Sequence, residues 1–429
     1  MSQNFENEGV WLAAGVRTPF AKIDSALSAL DAIELSLPVA RAMLNVGSKP
    51  IRPDLVVWGT VAPNLGYSNI ASEVLIDADQ DQTIPAFATA MACSTSMIAA
   101  FEAAGMLGTG GRDLALVGGV ESMSRIQIGL DQRLSDWLRR FFSARSLDQR
   151  LETFSELKFR DIKLYIPSVT NRSTGKSMGE HTEEMAKDWD IAREDQDKLA
   201  LKSHEHAVAA QTAGFFESLI TPVDDIAADS LPRTDTSLER LAVLKPVFDQ
   251  TSGRGTLTAG NSSPLTDGAA GVWVATEAGH SRLPDEIPKV RLLDWEIASI
   301  DLRKEGLLMA PAYAIPRLLA RHRLAYEDID LWEIHEAFAA QVLCNIAALE
   351  SDEFLTEKVG VEPQFGNFPW QRLNPNGGSV SIGHPFGATG ARILSQATKE
   401  LAAMPPGSRA VVSVCADGGL GTVALLQAA

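Results

Sequence analysis

The sequence predicts a layered α/β protein built from two similar halves with a mostly helical segment inserted between them. Three observations carry this. Apolar runs ended by glycine alternate with helix-spaced segments in the first third of the chain, and again in the last third. Each of these regions sets a cysteine at the end of an apolar run, Cys93 in one and Cys415 in the other. Between them, from about 125 to 244, charges are dense and strand-like runs are scarce.

In the first region Val10–Ala14 and Leu55–Gly59 are short apolar runs and read as strands. Asp31–Leu44 lies between them, with Ile33, Leu37, Ala40 and Leu44 at helical spacing. Ile84–Ala92 is a strand, Ser94–Leu107 an apolar helix and Leu114–Gly119 a closing strand, which together predict a mostly parallel sheet with helices on both faces. The last region repeats the plan. Ala314–His322, Ala337–Ala348 and Ala388–Leu401 read as helices, and Ile329–Ile334, Ala410–Cys415 and Thr422–Leu426 as strands. In the inserted segment Leu134, Trp137, Leu138, Phe141 and Phe142 fall at i, i+3, i+4, i+7 and i+8, an amphipathic helix. Leu147, Leu151, Phe154 and Leu157 suggest a second. Such a face either packs on its own domain or meets a partner protein or a membrane surface.

The 429 residues allow more than one large core, and 45% hydrophobic against 22% charged residues excludes wholesale disorder. The net charge of −17 repels nucleic acid, so an anionic ligand needs a local basic patch. The stretch 131–163 departs from that balance, with eight Lys+Arg against six Asp+Glu. The acidic start MSQNFENEG has no basic leader, and 82–101 contains Gln, Pro and hydroxyl residues that do not suit a membrane span. A soluble, cytoplasmic chain is expected. Three cysteines cannot form a disulfide framework and fit a reducing compartment.

Four segments carry chemistry. Cys93 stands where a strand run gives way to a helix, so a helix dipole would favour its thiolate, although a buried strand-end Cys is also common. In Asn376-Gly-Gly-Ser-Val-Ser-Ile-Gly-His384-Pro-Phe-Gly-Ala-Thr-Gly390, glycines permit close approach and His384 sits on a rigid Gly-His-Pro turn suited to a general base. The glycines do not follow the dinucleotide pattern. Cys415-Ala-Asp-Gly-Gly-Leu-Gly offers a second thiol and backbone N–H groups able to stabilise an oxyanion. Trp332-Glu-Ile-His335-Glu-Ala-Phe338 turns from strand to helix at a His-Glu pair. Two cysteines and two histidines, each at a strand or loop end, suggest acyl transfer through a cysteine thioester. Without a C-x2-C pair, no metal site is expected.

Together these segments resemble the thiolase family nearly end to end. Ala14–Lys22 (AGVRTPFAK), Gly118–Arg125 (GGVESMSR), Met178-Gly179, Arg193-Glu-Asp-Gln-Asp, Leu201-Lys-Ser-His and Thr258–Ala270 (TAGNSSPLTDGAA) are similar to family motifs in the same order. The resemblance implies an αβαβα layered core, with 1–124 and 245–281 as the N-terminal half, 125–244 as a loop domain with its insert at 131–163, and 282–429 as the C-terminal half. It implies CoA-dependent cleavage of 3-oxoacyl-CoA to acetyl-CoA and a shortened acyl-CoA. CoA is then a substrate, and no cofactor is permanently bound.

By the same resemblance Cys93 is the nucleophile, His384 takes its proton, and Cys415 protonates the departing enolate and then deprotonates CoA. His335 and His384 would bind the enolate oxygen, and the backbone N–H groups of Cys93 and Asp417 would form a second oxyanion hole. Met178, Phe248, Ala259 and Phe338 would line the pantetheine tunnel, Ser263 would bond its amide, and Arg233 would sit near the adenosine. His335 stands where many thiolases have Asn, as in the β-subunits of trifunctional β-oxidation complexes, which also carry helices at the insert. Docking of 131–163 on a hydratase/dehydrogenase α-subunit or a membrane surface is therefore expected, as is a homodimer. Asp417 replaces a usual small residue, and its carboxylate could oppose an oxyanion or raise the Cys415 pKa. Ser177 replaces a His of short-chain biosynthetic members. An acetoacetyl-CoA or sterol-side-chain thiolase is the alternative activity, and a weakly active lipid- or CoA-binding protein the alternative class.

Overall fold

The computed structural model describes residues 9–46, 49–158 and 162–429. The segment 1–8, on which part of the leader expectation rests, and 159–161 of the insert lie outside the described residues. The longer strands are β1 (Val10–Ala13), β2 (Leu55–Thr60), β3 (Ala86–Thr89), β4 (Leu114–Glu121), β5 (Thr266–Ala275), β6 (Lys289–Ser299), β7 (Leu331–Ile334), β8 (Arg409–Ala416) and β9 (Leu420–Gln427). They form one path in the order β7-β8-β9-β6-β1-β5-β4-β2-β3.

The halves share a plan. In each, the first strand (β1 or β6) pairs with the last (β5 or β9), and the next two follow outward in the order β4-β2 or β8-β7. The first strands pair with each other, Val10 opposite Leu292 and Ala13 opposite Lys289, so the sheet is continuous across the seam. The expected mostly parallel sheet is corrected. Only β2–β3, β2–β4 and β7–β8 are parallel, while β1–β5, β1–β6, β4–β5, β6–β9 and β8–β9 are antiparallel. The pair β8–β9 is a hairpin, and the other four antiparallel pairs arise from β5 and β6, two long strands with no counterpart in the expected element list. They return through the middle of the sheet and reverse the local direction.

Helices α1 (Ala32–Leu44) and α2 (Ile70–Asp77) cover the outer face of the first half, where Trp58 and Trp273 are fully buried. Asp31 caps α1 by accepting from the N–H groups of Ile33 and Glu34, both at 2.9 Å, and Glu34 accepts from Asp31 N–H in return. Burial of the Trp58 indole is offset by its 3.0 Å bond to Ser36 Oγ of α1. Helix α3 (Thr95–Met106) lies between the two halves of the sheet, packed on strand residues Val57, Val117, Val272, Val412 and Val414.

In the central segment, α4 (Gln132–Ser143) and α5 (Leu147–Glu156) pair with each other. Leu134 is the only buried residue of α4. Helix α6 (Met178–Asp188) packs on the second half, and α7 (Arg193–Thr212) is pinned there by Ser203. Helices α8 (Ala310–His322) and α9 (Ala339–Leu349) cover the second outer face, with Cys344 in that core. Helix α10 (Thr389–Ala402) completes the middle layer against α3. A Cβ on Gly390 would stand 2.4 Å from Met97 N, so only glycine admits this approach. The result is helix–sheet–helix–sheet–helix, the five-layer order implied by the resemblance.

Candidate functional site

Strand β3 ends at Thr89, and the chain reaches Cys93 through Ala92, held at φ 46°, a region costly for a residue with a Cβ. Cys93 is half-buried just before α3. The start of α3 is tied to the other half, because Ser94 Oγ donates to Val414 O at 3.2 Å and accepts from Thr422 Oγ1 at 3.0 Å. These bonds join the thiol of one half to the strand that carries the thiol of the other.

His335 and His384 are both buried, with ring centres 4.2 Å apart. One nitrogen of each ring and the Cys93 sulfur lie within 4.8 Å of one another. The loop carrying His335 is set by Asn374, whose Oδ1 accepts from Ile334 N–H at 2.9 Å and whose Nδ2 donates to Glu336 at 2.6 Å. His384 follows Gly383, whose φ of 107° is open to glycine, and its N–H donates to Thr266 Oγ1 at 3.0 Å. Nδ1 of His335 meets Ser379 Oγ at 2.9 Å, and Nδ1 of His384 meets Thr389 Oγ1 at 2.6 Å. Both Nε2 atoms are buried with no partner among the described residues.

Burial pushes the Cys93 thiol up to about 12, and the Asp417 and Glu121 carboxylates add to the effect. The backbone N–H groups of Cys93 and Asp417 act in the opposite direction and do not prevail. The expected thiolate at a helix N-terminus is therefore corrected: desolvation outweighs the dipole, and the resting group is a thiol. Burial pushes His384 down to about 3, and holds His335 well below its ordinary value with help from His384 and Arg392. Cys415, also buried, is raised by burial and by Cys93. The Asp417 carboxylate thus acts on Cys93, whereas an effect on Cys415 had been expected. It accepts from Asn171 Nδ2 and Gly418 N–H, each at 2.7 Å.

A cavity of about 370 Å³ opens between the loop domain and both halves. Arg233 and Ala259 line it, with Lys22, Arg240 and Asp235, so three cations face one carboxylate. This is a local basic patch in an acidic chain. Arg233 pairs with Asp235 at 3.2 Å, and Arg240 bonds the same carboxylate. Met178 and Phe248 pack against the second-half core beside Phe338, and the Phe248 and Phe338 rings meet edge to face at 5.9 Å. That cluster joins the cavity wall where Phe338 bridges to Ser262. Ser263 turns its hydroxyl to Ala337 O at 2.8 Å. Of the residues expected to act, the structure brings Cys93, His335, His384 and Cys415 together, and groups the six CoA candidates around and beside one cavity.

The sequence reading missed the residues behind the rings: Ser379, Thr389, Arg392, Thr266 and Asn374. Thr389 and Ser379 lie in the glycine-rich run already singled out, but only the fold shows which hydroxyl meets which nitrogen.

Comparison with known proteins agrees with this architecture. Residues 10–278 match the family described as thiolase, N-terminal domain, and 287–428 match thiolase, C-terminal domain. A protein of Yersinia enterocolitica named 3-ketoacyl-CoA thiolase is 36% identical over 429 residues, covering 98% of this chain and 97% of its own. One of the same name from Yersinia pestis is 36% identical over 430 residues. The crystal structure of Bacillus anthracis acetyl-CoA acetyltransferase superposes with a TM-score of 0.78 at 28% identity, over 98% of this chain and 99% of that one. The Acat5 thiolase of Ascaris suum in complex with coenzyme A gives 0.78 at 26%, over 98% and 100%.

Proposed function

The chain belongs to the thiolase family, and from that premise we propose that it is a 3-ketoacyl-CoA thiolase, an acyltransferase that cleaves 3-oxoacyl-CoA with CoA. The observation that carries this reading is the convergence of the Cys93 sulfur with His335 and His384 within 4.8 Å, beside Cys415. Cys93 attacks the 3-oxo carbon as its proton moves to His384. The C2–C3 bond breaks, the acyl group stays on Cys93, and the electron pair leaves as the enolate of acetyl-CoA. Cys415 protonates that enolate, then takes the proton of an incoming CoA thiol. The CoA sulfur attacks the Cys93 thioester, the acyl–Cys93 C–S bond breaks to release the shortened acyl-CoA, and His384 returns its proton to the Cys93 sulfur. A thiol held above its ordinary pKa matches a strongly basic enolate. His335 and the N–H groups of Cys93 and Asp417 stabilise the oxyanions, each good donor being worth about 3 kcal/mol of barrier.

CoA, which is polyanionic, is read into the cavity lined by Lys22, Arg233 and Arg240, with its pantetheine arm toward Met178, Phe248, Phe338 and Ser263. The reading places the reaction in fatty-acid β-oxidation, in a cytoplasmic protein. A homodimer would use the half-exposed edge strand β3, which has a single sheet neighbour among the described residues. No helix among the described residues is long and apolar enough to cross a membrane, so membrane contact would be peripheral, through the insert. The test is CoA-dependent thiolysis of 3-oxoacyl-CoA from C4 to C16. The expected result is turnover lost in Cys93→Ala by about four orders of magnitude. Activity surviving that substitution would sink the assignment, and activity on C4 alone would favour the acetoacetyl-CoA reading.

A further inference from the structure

Resting on Cys93 as nucleophile, we propose that Thr389 and the Arg392-held Ser379 are positioning residues that lock the two active-site histidines into opposite tautomers. His384 then presents a bare Nε2 that accepts the Cys93 proton, and His335 presents an Nε2–H that donates to the substrate oxygen.

The assignment follows from where each hydroxyl proton can go. Thr389 Oγ1 has one hydrogen, and it lies 3.0 Å from Pro385 O. If it donates there, its lone pair accepts from His384 Nδ1–H at 2.6 Å, and both bonds form. The reverse assignment forms only one of them. Nδ1 therefore carries the proton of His384, and Nε2 is bare. At the other ring, Ser379 Oγ lies 2.8 Å from Arg392 Nη2. A guanidinium only donates, so Ser379 must accept from it. The Ser379 hydrogen is left with His335 Nδ1 at 2.9 Å as its acceptor among the described residues, which puts the His335 proton on Nε2.

Geometry between the rings agrees. Both Nδ1 atoms are engaged by hydroxyls, and both Nε2 atoms have no partner among the described residues. One nitrogen of each ring lies within 4.8 Å of the other and of the Cys93 sulfur, so opposite tautomers set one N–H and one lone pair at the shared site. Both rings are neutral by virtue of burial, so tautomer and not charge distinguishes them. One turn of α10 sets both states, since Thr389 and Arg392 are three residues apart on it. The Arg392 charge is itself buried, facing the Glu333 and Glu336 carboxyl groups. In the chemical step the Cys93 S–H bond breaks and an Nε2–H bond forms on His384, while Nδ1–H stays on Thr389.

The test uses the full-length protein labelled with 15N-histidine. Nitrogen shifts and long-range couplings report which ring nitrogen is protonated, with the two rings assigned through His335→Asn and His384→Gln. The expected result is Nδ1–H for His384 and Nε2–H for His335. Identical tautomers, or the reverse pair, would overturn the proposal. In parallel, Thr389→Val should slow iodoacetamide alkylation of Cys93 at pH 8 by about tenfold, with Thr389→Ser restoring it. Ser379→Ala should lower the kcat of thiolysis by about tenfold with KM little changed and alkylation not slowed. Wild-type alkylation in Thr389→Val counts against the proposal. Thiolysis surviving in Cys93→Ala would remove the underlying reading instead, while the nitrogen spectra would still report the tautomers.

Discussion

A nucleophilic thiol is ordinarily helped by lowering its pKa, yet Cys93 is pushed up to about 12. Part of that rise comes from one side chain, the Asp417 carboxylate, held by Asn171 from the loop domain. Its backbone N–H points to the sulfur and its carboxylate opposes the charge there, so the two effects separate by substitution. Asp417→Asn keeps the N–H and removes the charge. It should lower the Cys93 pKa by about one unit, and so raise the rate of Cys93 alkylation near pH 8 by about tenfold. Measuring alkylation rate against pH in the two proteins checks this. An unchanged profile would mean that the carboxylate is neutralised by Asn171 and Gly418.

At the scale of elements, the insert leaves large apolar side chains open to solvent. On α4 Phe142 is 73% exposed, and on α5 Leu147 and Leu151 are 77% and 66% exposed. Trp137 stacks on Phe141 and donates to Thr153 O, which holds the helix pair together without covering it. An apolar face on a basic stretch of an acidic chain suits an anionic lipid surface or an acidic partner face. Trp137→Ser/Phe141→Ser/Phe142→Ser should abolish co-sedimentation with anionic vesicles while leaving thiolysis within about twofold of wild type. Loss of a co-purifying hydratase/dehydrogenase subunit, with vesicle binding absent in both proteins, would point to the protein partner.

The amphipathic period of α4 was legible in the sequence because one face is apolar and the other charged. Strands β5 and β6 were not. In the first, Gly268 and Gly271 interrupt the apolar run and fit close contacts with Phe20 and Met43 that only the assembled core reveals. KVRLLDWEIAS breaks the apolar alternation at Leu292–Asp294, where its pairing with β9 shifts register, and it is half-exposed along much of its length. The four chemical residues were legible from their positions at strand or loop ends. Their hydroxyl partners were not, because the contact of Thr389 with His384 depends on a turn and a helix start, and that of Ser379 with His335 spans 44 residues.

Across the whole molecule, buried ionisable groups pull stability in opposite directions with pH. His384 and His204 are lowered by burial to about 3 and about 4 from an ordinary 6.5. The unfolded chain binds those protons first, so this contribution is complete above pH 6.5 and lost as pH falls toward 4 and 3. Glu400 is pushed up by burial to about 7 from 4.5, with Glu333 keeping the proton that bonds it. Its contribution is complete below pH 4.5 and lost as pH rises through about 7. The melting temperature should therefore peak on the acid side of neutrality. Glu400→Gln should remove the decline toward pH 8, worth about 2–4 °C, and leave the acid-side loss intact, as thermal unfolding from pH 4 to 8 would show.

The antiparallel pairing of β1 with β6 has a further consequence. Each half brings one active-site thiol, and the connection between the halves passes through the exposed residues Asp285 and Glu286. A chain cut there yields two fragments, each with a single active-site cysteine and an open first strand. Co-expressed, they should regain thiolysis only as far as that strand pair re-forms, which makes turnover a direct gauge of fragment complementation.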